Sequence, residues 1–147
     1  MLYVVTGPPA AGKSTWIEAR ARPSDIVIDL DRITRALTGP GAPQWNHSPT
    51  ASRIALRARY AAIDEALKHL DDTDVYLIHT MPSPKWLARY RRHGAEVVAV
   101  DPGRDIVMQR IQDMRAPGLQ AVATRWYKQQ AKAGYSRPVT RQASRAW

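Results

Sequence analysis

The residues from Gly7 to Thr15 carry the clearest chemistry in this sequence. They fit the pattern glycine, four residues, glycine-lysine-serine, which is the spacing of a phosphate-binding loop between a strand and a helix. Its glycines permit a tight turn in which backbone N–H groups point inward and form a concave anion site. The lysine would reach the β- and γ-phosphates, and the hydroxyl of Ser14 would bind Mg²⁺. The pattern therefore predicts an ATP–Mg²⁺ site formed by Gly7, Pro8, Pro9, Ala10, Ala11, Gly12, Lys13, Ser14 and Thr15.

Phosphoryl transfer also needs a base for the acceptor hydroxyl, and the second apolar run of the sequence is followed by candidates for that role. Asp31 lies just past this run, where its carboxylate could take the proton of an acceptor hydroxyl. Asp29 is a competing base, and Asp31 could instead be the N-cap of the following helix. Arg32 and Arg35 come next and could hold a phosphate or carboxylate of the acceptor.

A second group of residues could contact the acceptor. Trp45 lies in a loop rich in proline and glycine, where its ring could stack on a base or simply pack the loop onto the core. Arg53 and Arg57 lie four residues apart on the next predicted helix, and such arginines can follow a phosphate backbone. Thr80 follows the third apolar run and is a further candidate for a phosphate or acceptor contact.

The elements that must position these residues alternate between short apolar strands and amphipathic helices. Strands are predicted at 2–6, 25–30, 75–78 and 96–100, and helices at 13–21, 33–37, 50–70, 84–93, 104–114 and about 119–133. This alternation predicts a parallel sheet of four to five strands with helices on both faces, a three-layer α/β/α fold. Ligands of such sheets gather at the carboxyl ends of the strands, which is where the polar residues lie.

Length and charge limit the possible functions. The 147 residues suffice for one domain, predicted at 1–133, followed by a basic irregular tail at 134–147. The formal net charge is +9, and no acidic residue follows Asp113, which favours a nucleic acid as partner and allows the tail to dock on a nucleic acid or a protein. The lack of cysteine excludes disulfides and thiolate metal sites. No apolar run approaches the ~18 residues of a membrane span, so we expect a soluble, cytoplasmic protein without membrane contact.

Three segments in order, 7–15, 31–37 and 75–84, resemble the kinase domain of bacteriophage-type polynucleotide 5′-kinases and other AAA or zeta-toxin-like small P-loop kinases. The resemblance extends over about residues 2–133. It implies ATP as phosphate donor, Mg²⁺ as cofactor, Asp31 as general base and the 5′-hydroxyl of a polynucleotide as acceptor. It also implies a helical lid at about 110–120, in which Arg110 and Arg115 fold over ATP and act in catalysis.

The sequence departs from this family at two positions. Thr34 stands where the resemblance places an arginine for the 3′-phosphate of the acceptor, so Arg32 or Arg35 must replace it or the contact is absent. His79 stands where the family has an aspartate that supports the loop and the metal. Two alternatives to the polynucleotide kinase stay open: a small-molecule, nucleoside-type kinase, and an ATP-binding accessory module that docks on a nucleic-acid enzyme. The two departures favour the accessory module.

Overall fold

A single parallel sheet forms the centre of the molecule. The computed structural model describes residues 1–44, 46–114, 116–133 and 140–142. Its elements are β1 (Leu2–Thr6), α1 (Lys13–Glu18), β2 (Ile26–Ile28), α2 (Leu30–Leu37), α3 (Pro49–Ala66), β3 (Val75–Ile78), α4 (Pro84–Arg92), β4 (Glu96–Val100), α5 (Arg104–Asp113), α6 (Gly118–Ala133) and β5 (Thr140–Gln142). The strands pair in the order β2-β3-β1-β4-β5, and every pair is parallel. The predicted fold class is therefore confirmed.

The sheet separates two hydrophobic cores because successive side chains of a strand point to opposite faces. In β1, Val4 packs in a core with residues of α3 and α4, whereas Val5 packs in a core with residues of α1, α5 and α6. In β3, Leu77 and Tyr76 divide between the same two cores. The two cores account for the three predicted layers.

The first three helices differ from their predicted bounds at four ends, and side-chain hydrogen bonds explain two of these differences. The second helix begins at Leu30 rather than at residue 33, because the side chain of Asp29 accepts a hydrogen bond from the backbone N–H of Asp31 and so caps it. The third helix is capped by Ser48 with Pro49 in its first turn, not by residue 50, and ends at Ala66 rather than 70. The first helix ends at Glu18 instead of residue 21.

One strand occurs within the predicted tail. Thr140–Gln142 forms β5 and pairs with β4, so the prediction of an irregular tail is wrong for these three residues. An edge strand is held by backbone hydrogen bonds and needs no hydrophobic period, which is why the sequence pattern did not reveal it. The rest of that segment, 134–139 and 143–147, lies outside the described residues. Among the described residues, no helix has the length and apolar character needed to cross a membrane.

Candidate functional site

The tight turn of the loop between β1 and α1 depends on positive φ angles, which residues other than glycine rarely adopt. Gly7 has φ +148°, and a Cβ at this position would lie 2.3 Å from the carbonyl oxygen of Val100. Gly12, with φ 91°, is the left-handed N-cap residue of α1, and Ala10 has φ 61°. Only glycine fits at residue 7, because any side chain there would collide with β4. The predicted phosphate-binding loop therefore lies where the sequence placed it, between strand and helix.

The side chain of Lys13 folds back onto this loop. Its Nζ donates hydrogen bonds to the carbonyl oxygens of Gly7, at 2.8 Å, and Pro8, at 2.7 Å. Burial lowers the pKa of Lys13 from 10.5 to about 8, and the nearby carboxylates of Asp29 and Asp31 oppose this shift. The amine is therefore still mainly protonated at pH 7 and gives the loop a positive charge.

Asp29 lies beside the predicted metal ligand. Its side chain is buried, caps α2, and accepts a hydrogen bond from the hydroxyl of Ser14 at 3.4 Å. Burial raises the pKa of Asp29, as does the charge of Asp31, while its hydrogen bonds from Asp31 and Ser14 act in the opposite direction. Asp29 therefore already has two structural tasks, the helix cap and the support of Ser14.

Asp31 is placed differently, although it is only two residues away. Its side chain is 58% exposed, and Oδ1 lies 3.1 Å from Nε2 of His47, which belongs to the loop before α3. Asp31 lies in the first turn of α2 and is not its N-cap, so that alternative for Asp31 is wrong. Of the two candidate bases, Asp31 is the one whose carboxylate is open to a ligand.

Lys13, Ser14, Asp29 and Asp31 line one cavity of about 630 Å³ at the carboxyl ends of β1, β2 and β3. One wall is the loop, residues 9–15. The rest of the wall comes from the ends of β2 and β3, from α3 and from the region between α5 and α6, contributed by Asp29, Leu30, Asp31, Arg59, Ile78, His79, Thr80, Met81, Met114 and Leu119. This volume lies within the usual range of small-molecule sites, about 300–1,000 Å³.

His79 follows the last residue of β3, and its backbone N–H donates a hydrogen bond to the carbonyl oxygen of Val5 in β1. Its Nδ1 lies 2.8 Å from the hydroxyl of Tyr90, and its ring contacts Trp86 edge to face. Burial lowers the pKa of His79 from 6.5 to about 4, and the charge of Arg59 lowers it further. The histidine is neutral at pH 7, so it does not supply the negative charge that an aspartate would bring to this position.

Arg59 is a site residue that the sequence did not predict. It lies on α3, its side chain is only 6% exposed, and Nη2 donates a hydrogen bond to the carbonyl oxygen of Ile78 at 2.9 Å. It shares the buried face of α3 with Ala55 and Ile63, which lie four residues before and after it. An arginine at the apolar spacing of an amphipathic helix is the signal that could have revealed it.

Arg110, one of the two predicted lid arginines, lies in the last turn of α5. Nη1 of Arg110 donates a hydrogen bond to the carbonyl oxygen of Ala10 at 3.1 Å, so this arginine lies against the phosphate-binding loop. Arg115 lies outside the described residues. Trp126 of α6 donates a hydrogen bond from Nε1 to the carbonyl oxygen of Thr80 at 3.1 Å, which fixes Thr80 in the cavity wall.

The other predicted acceptor contacts that the structure describes do not line the cavity. Four exposed arginines of α2 and α3 are not among the residues that line it, and these are Arg32, Arg35, Arg53 and Arg57. Thr34 is buried, and its hydroxyl donates a hydrogen bond to the carbonyl oxygen of Leu30 at 2.7 Å, so this hydroxyl is already engaged within α2. Trp45 lies outside the described residues.

The carboxylates near Ser14 are few. Within the described part of the chain, no three side chains among histidine, cysteine, aspartate and glutamate are grouped in a way that could hold a metal ion. Mg²⁺ commonly keeps several waters and binds through one or two protein ligands plus the phosphates of a substrate. The pair of Ser14 and Asp29 fits that kind of site, in which the nucleotide supplies most of the oxygen ligands.

Comparisons with known proteins identify a family and a similar fold. The model of a family described as AAA domain matches residues 2–138. Among solved structures, a chain of the Pnkp1/Rnl/Hen1 RNA repair complex matches with a TM-score of 0.64 and 16% identity, over 89% of this chain and 45% of that one. The likeness is therefore one of fold, and the chain spans less than half the length of that structural neighbour. A search of curated proteins found no match.

Proposed function

Since the chain belongs to the AAA domain family, we propose that it is an ATP-dependent kinase that phosphorylates the 5′-hydroxyl end of a polynucleotide. One observation carries this proposal. The phosphate-binding loop and the exposed carboxylate of Asp31 line the same cavity, so a nucleotide on the loop would have a base beside its terminal phosphate.

The loop side of the cavity would bind ATP. The backbone N–H groups of residues 7–15 and the ammonium group of Lys13 would hold the β- and γ-phosphates, once Lys13 exchanges the carbonyl oxygens of Gly7 and Pro8 for phosphate oxygens. Ser14 would bind Mg²⁺, with Asp29 accepting the hydrogen bond of its hydroxyl or of a metal-bound water. When bound, Mg²⁺ neutralises part of the phosphate charge.

Asp31 would carry out the proton transfer. Its carboxylate accepts the proton of the acceptor hydroxyl while the hydroxyl oxygen forms a bond to the γ-phosphorus, and the bond to the bridging oxygen breaks to release ADP. His47, within 3.1 Å of Oδ1, would orient this carboxylate. Arg110, held against Ala10, would lie on the donor side, and together with Arg115 it would form the lid over ATP and neutralise charge on the transferred group.

Charge favours a polynucleotide as acceptor. A net charge of +9 attracts a polyanion, whereas a single metabolite gains little from it. Four exposed arginines on α2 and α3 lie outside the cavity, where a longer acceptor could pass, and these are Arg32, Arg35, Arg53 and Arg57. The structural neighbour belongs to an RNA repair complex, which is consistent with an acceptor of this class.

A direct assay tests the proposal. The protein is incubated with γ-labelled ATP, Mg²⁺ and 5′-hydroxyl oligonucleotides of DNA or RNA, with nucleosides in parallel. We expect label on the oligonucleotides. The rate of transfer should fall by about 10²–10³-fold in Lys13→Ala, because the positive charge that contacts the phosphates is removed. Arg92→Gln, which removes an exposed charge at the end of α4, is the matched control and should retain activity.

Other outcomes identify other functions. Label on nucleosides alone would indicate a small-molecule kinase. ATP binding without label on any acceptor would indicate an accessory module that docks on a nucleic-acid enzyme, an alternative favoured by the neutral state of His79 at the end of β3. Failure of the folded protein to bind ATP with Mg²⁺ in calorimetry would contradict all three.

A further inference from the structure

Arg59 places a buried positive charge in the wall of the cavity, and its hydrogen bonds are incomplete. We propose that Arg59 is a phosphate-binding residue, which holds a phosphate group of the acceptor or the phosphoryl group during transfer. The inference deepens the proposed function and rests on it, because it concerns the same cavity.

The first argument is the cost of an unpaired buried charge. The side chain of Arg59 is 94% buried, and its Nε has no hydrogen-bond partner. In the described part of the chain no carboxylate lies close enough for an ion pair with it, although the charge of Asp29 acts to raise the pKa of Arg59 and so partly opposes the effect of burial. A guanidinium group cannot escape this cost by losing its proton at neutral pH. A buried charge left in this state is unfavourable unless an anion completes its surroundings.

The second argument is the position of the guanidinium group. The hydrogen bond from Nη2 to the carbonyl oxygen of Ile78 fixes it at the end of β3, beside His79. It lines the cavity that also contains Lys13 and Asp31. An anion bound there would therefore lie close to the reacting groups rather than on the outer surface.

The third argument is chemical fit. A guanidinium group donates parallel N–H bonds that match two oxygens of a phosphate, and such charge-assisted bonds are among the strongest in proteins. Because one end of the Arg59 fork is already fixed by Ile78, little conformational entropy is lost when a phosphate binds. The exposed arginines predicted for this role lie outside the cavity wall, whereas Arg59 is within it.

Binding of inorganic phosphate tests the proposal without requiring catalysis. The phosphate-binding loop is first filled with ADP–Mg²⁺, which leaves the γ-phosphate position free, or with a non-hydrolysable ATP analogue and Mg²⁺, which occupies it. Phosphate is then titrated and its affinity measured by calorimetry or ³¹P NMR. Arg59→Gln should weaken phosphate binding by about tenfold or more, while Arg92→Gln, the matched loss of an exposed charge, should not.

The two preparations distinguish the source of the phosphate. A loss that persists with the ATP analogue identifies a phosphate of the acceptor, and the Michaelis constant for phosphate-bearing acceptors should then rise more than that for nucleosides. A loss seen with ADP alone identifies the transferred phosphoryl group, and kcat should then fall for every acceptor. Equal phosphate affinity of Arg59→Gln and the unchanged protein in both preparations overturns the proposal.

A second measurement covers the case in which Arg59→Gln does not fold. The Nε–H of Arg59 is buried, so its ¹⁵N signal should be observable in the unchanged protein and assignable by its loss in Arg59→Lys. This signal should shift when phosphate is added, and an unshifted signal contradicts the proposal. If no acceptor is phosphorylated while these binding results hold, the proposed kinase function fails and the phosphate site remains.

Discussion

The two sides of the cavity are built in different ways. The loop side is one continuous segment, Gly7 to Thr15, and it would contact a ligand mainly through backbone groups whose directions follow from unusual φ angles. The opposite side includes single side chains from separate parts of the chain, among them Arg59 on α3 and His79 after β3. His79 in turn contacts the hydroxyl of Tyr90 on α4.

This difference determines what each side can tolerate. The loop side depends on glycine at position 7, since a side chain there would meet the backbone of β4. The opposite side depends on contacts between side chains, such as the one between His79 and Tyr90. Burial lowers the pKa of His79 to about 4 and raises the pKa of Tyr90 to about 12, so both groups are neutral at pH 7. Substitutions on the first side should act through backbone geometry, and those on the second through charge and hydrogen bonding.

The largest effect is expected at Asp31, which lies between the two sides. Asp31→Asn should lower kcat by about 10²–10⁴-fold because the general base is lost. Its melting temperature should change little, since the side chain is 58% exposed and does not cap α2. Single-turnover transfer of labelled phosphate and thermal melting measure the two effects. If Asp31→Asn retains activity and Asp29→Asn does not, the base assignment passes to Asp29.

The next largest effect is expected in the pH dependence of stability, to which His79 contributes. In the unfolded chain His79 binds a proton near pH 6.5, whereas in the folded protein it does so only at about pH 4. Between these values the unfolded state binds more protons, so the free energy of unfolding should fall as pH falls, by about 2–3 kcal/mol at pH 4.5. In His79→Gln, the free energy of unfolding should not show this contribution to its fall at low pH.

Urea unfolding of the unchanged protein and of His79→Gln at pH 6.5 and 4.5 measures the contribution of His79. The comparison with the variant cancels the contributions of other groups, including that of Asp29, whose raised pKa acts in the opposite direction. Equal pH dependence in both proteins would contradict the half-buried, neutral state of His79.

A third prediction tests the backbone side. Gly7→Ala should destabilise the protein by about 1–3 kcal/mol, because the new Cβ would lie 2.3 Å from the carbonyl oxygen of Val100 and φ is +148°. Gly94→Ala is a useful control, since Gly94 also has positive φ but has open space around its Cβ position. A loss in Gly7→Ala no greater than in Gly94→Ala would show that the close approach to β4 is unimportant.

The smallest effect is expected for the cap of α2. Asp29→Ala should lower the free energy of unfolding by about 1 kcal/mol, because the N–H of Asp31 loses its acceptor. Asp29→Asn keeps a capping oxygen and removes a buried charge, so it should be as stable as the unchanged protein. Chemical unfolding at pH 7 measures both variants, and equal losses in the two would mean that the charge matters, not the cap.

Much of this molecule was predictable because its information is local. The alternation of apolar strands and helices predicted the parallel three-layer fold, and the spacing of Gly7, Gly12 and Lys13 predicted the loop. Both depend on residues close together in the chain, whose backbone preferences act without help from distant elements. The roles assigned to Arg110 and Asp31 remain predictions, although the structure places both beside the loop or in the cavity.

The sequence alone thus determined the order of the elements and the place of the phosphate-binding loop. Only the tertiary structure decided that Arg59 enters the cavity while Arg53 and Arg57 face solvent, that His79 pairs with Tyr90, and that Asp29 rather than Asp31 caps α2. Helix rotation, burial and pairing between distant residues arise from the packing of α3 and α4 against the sheet, and burial in turn lowers the pKa of His79.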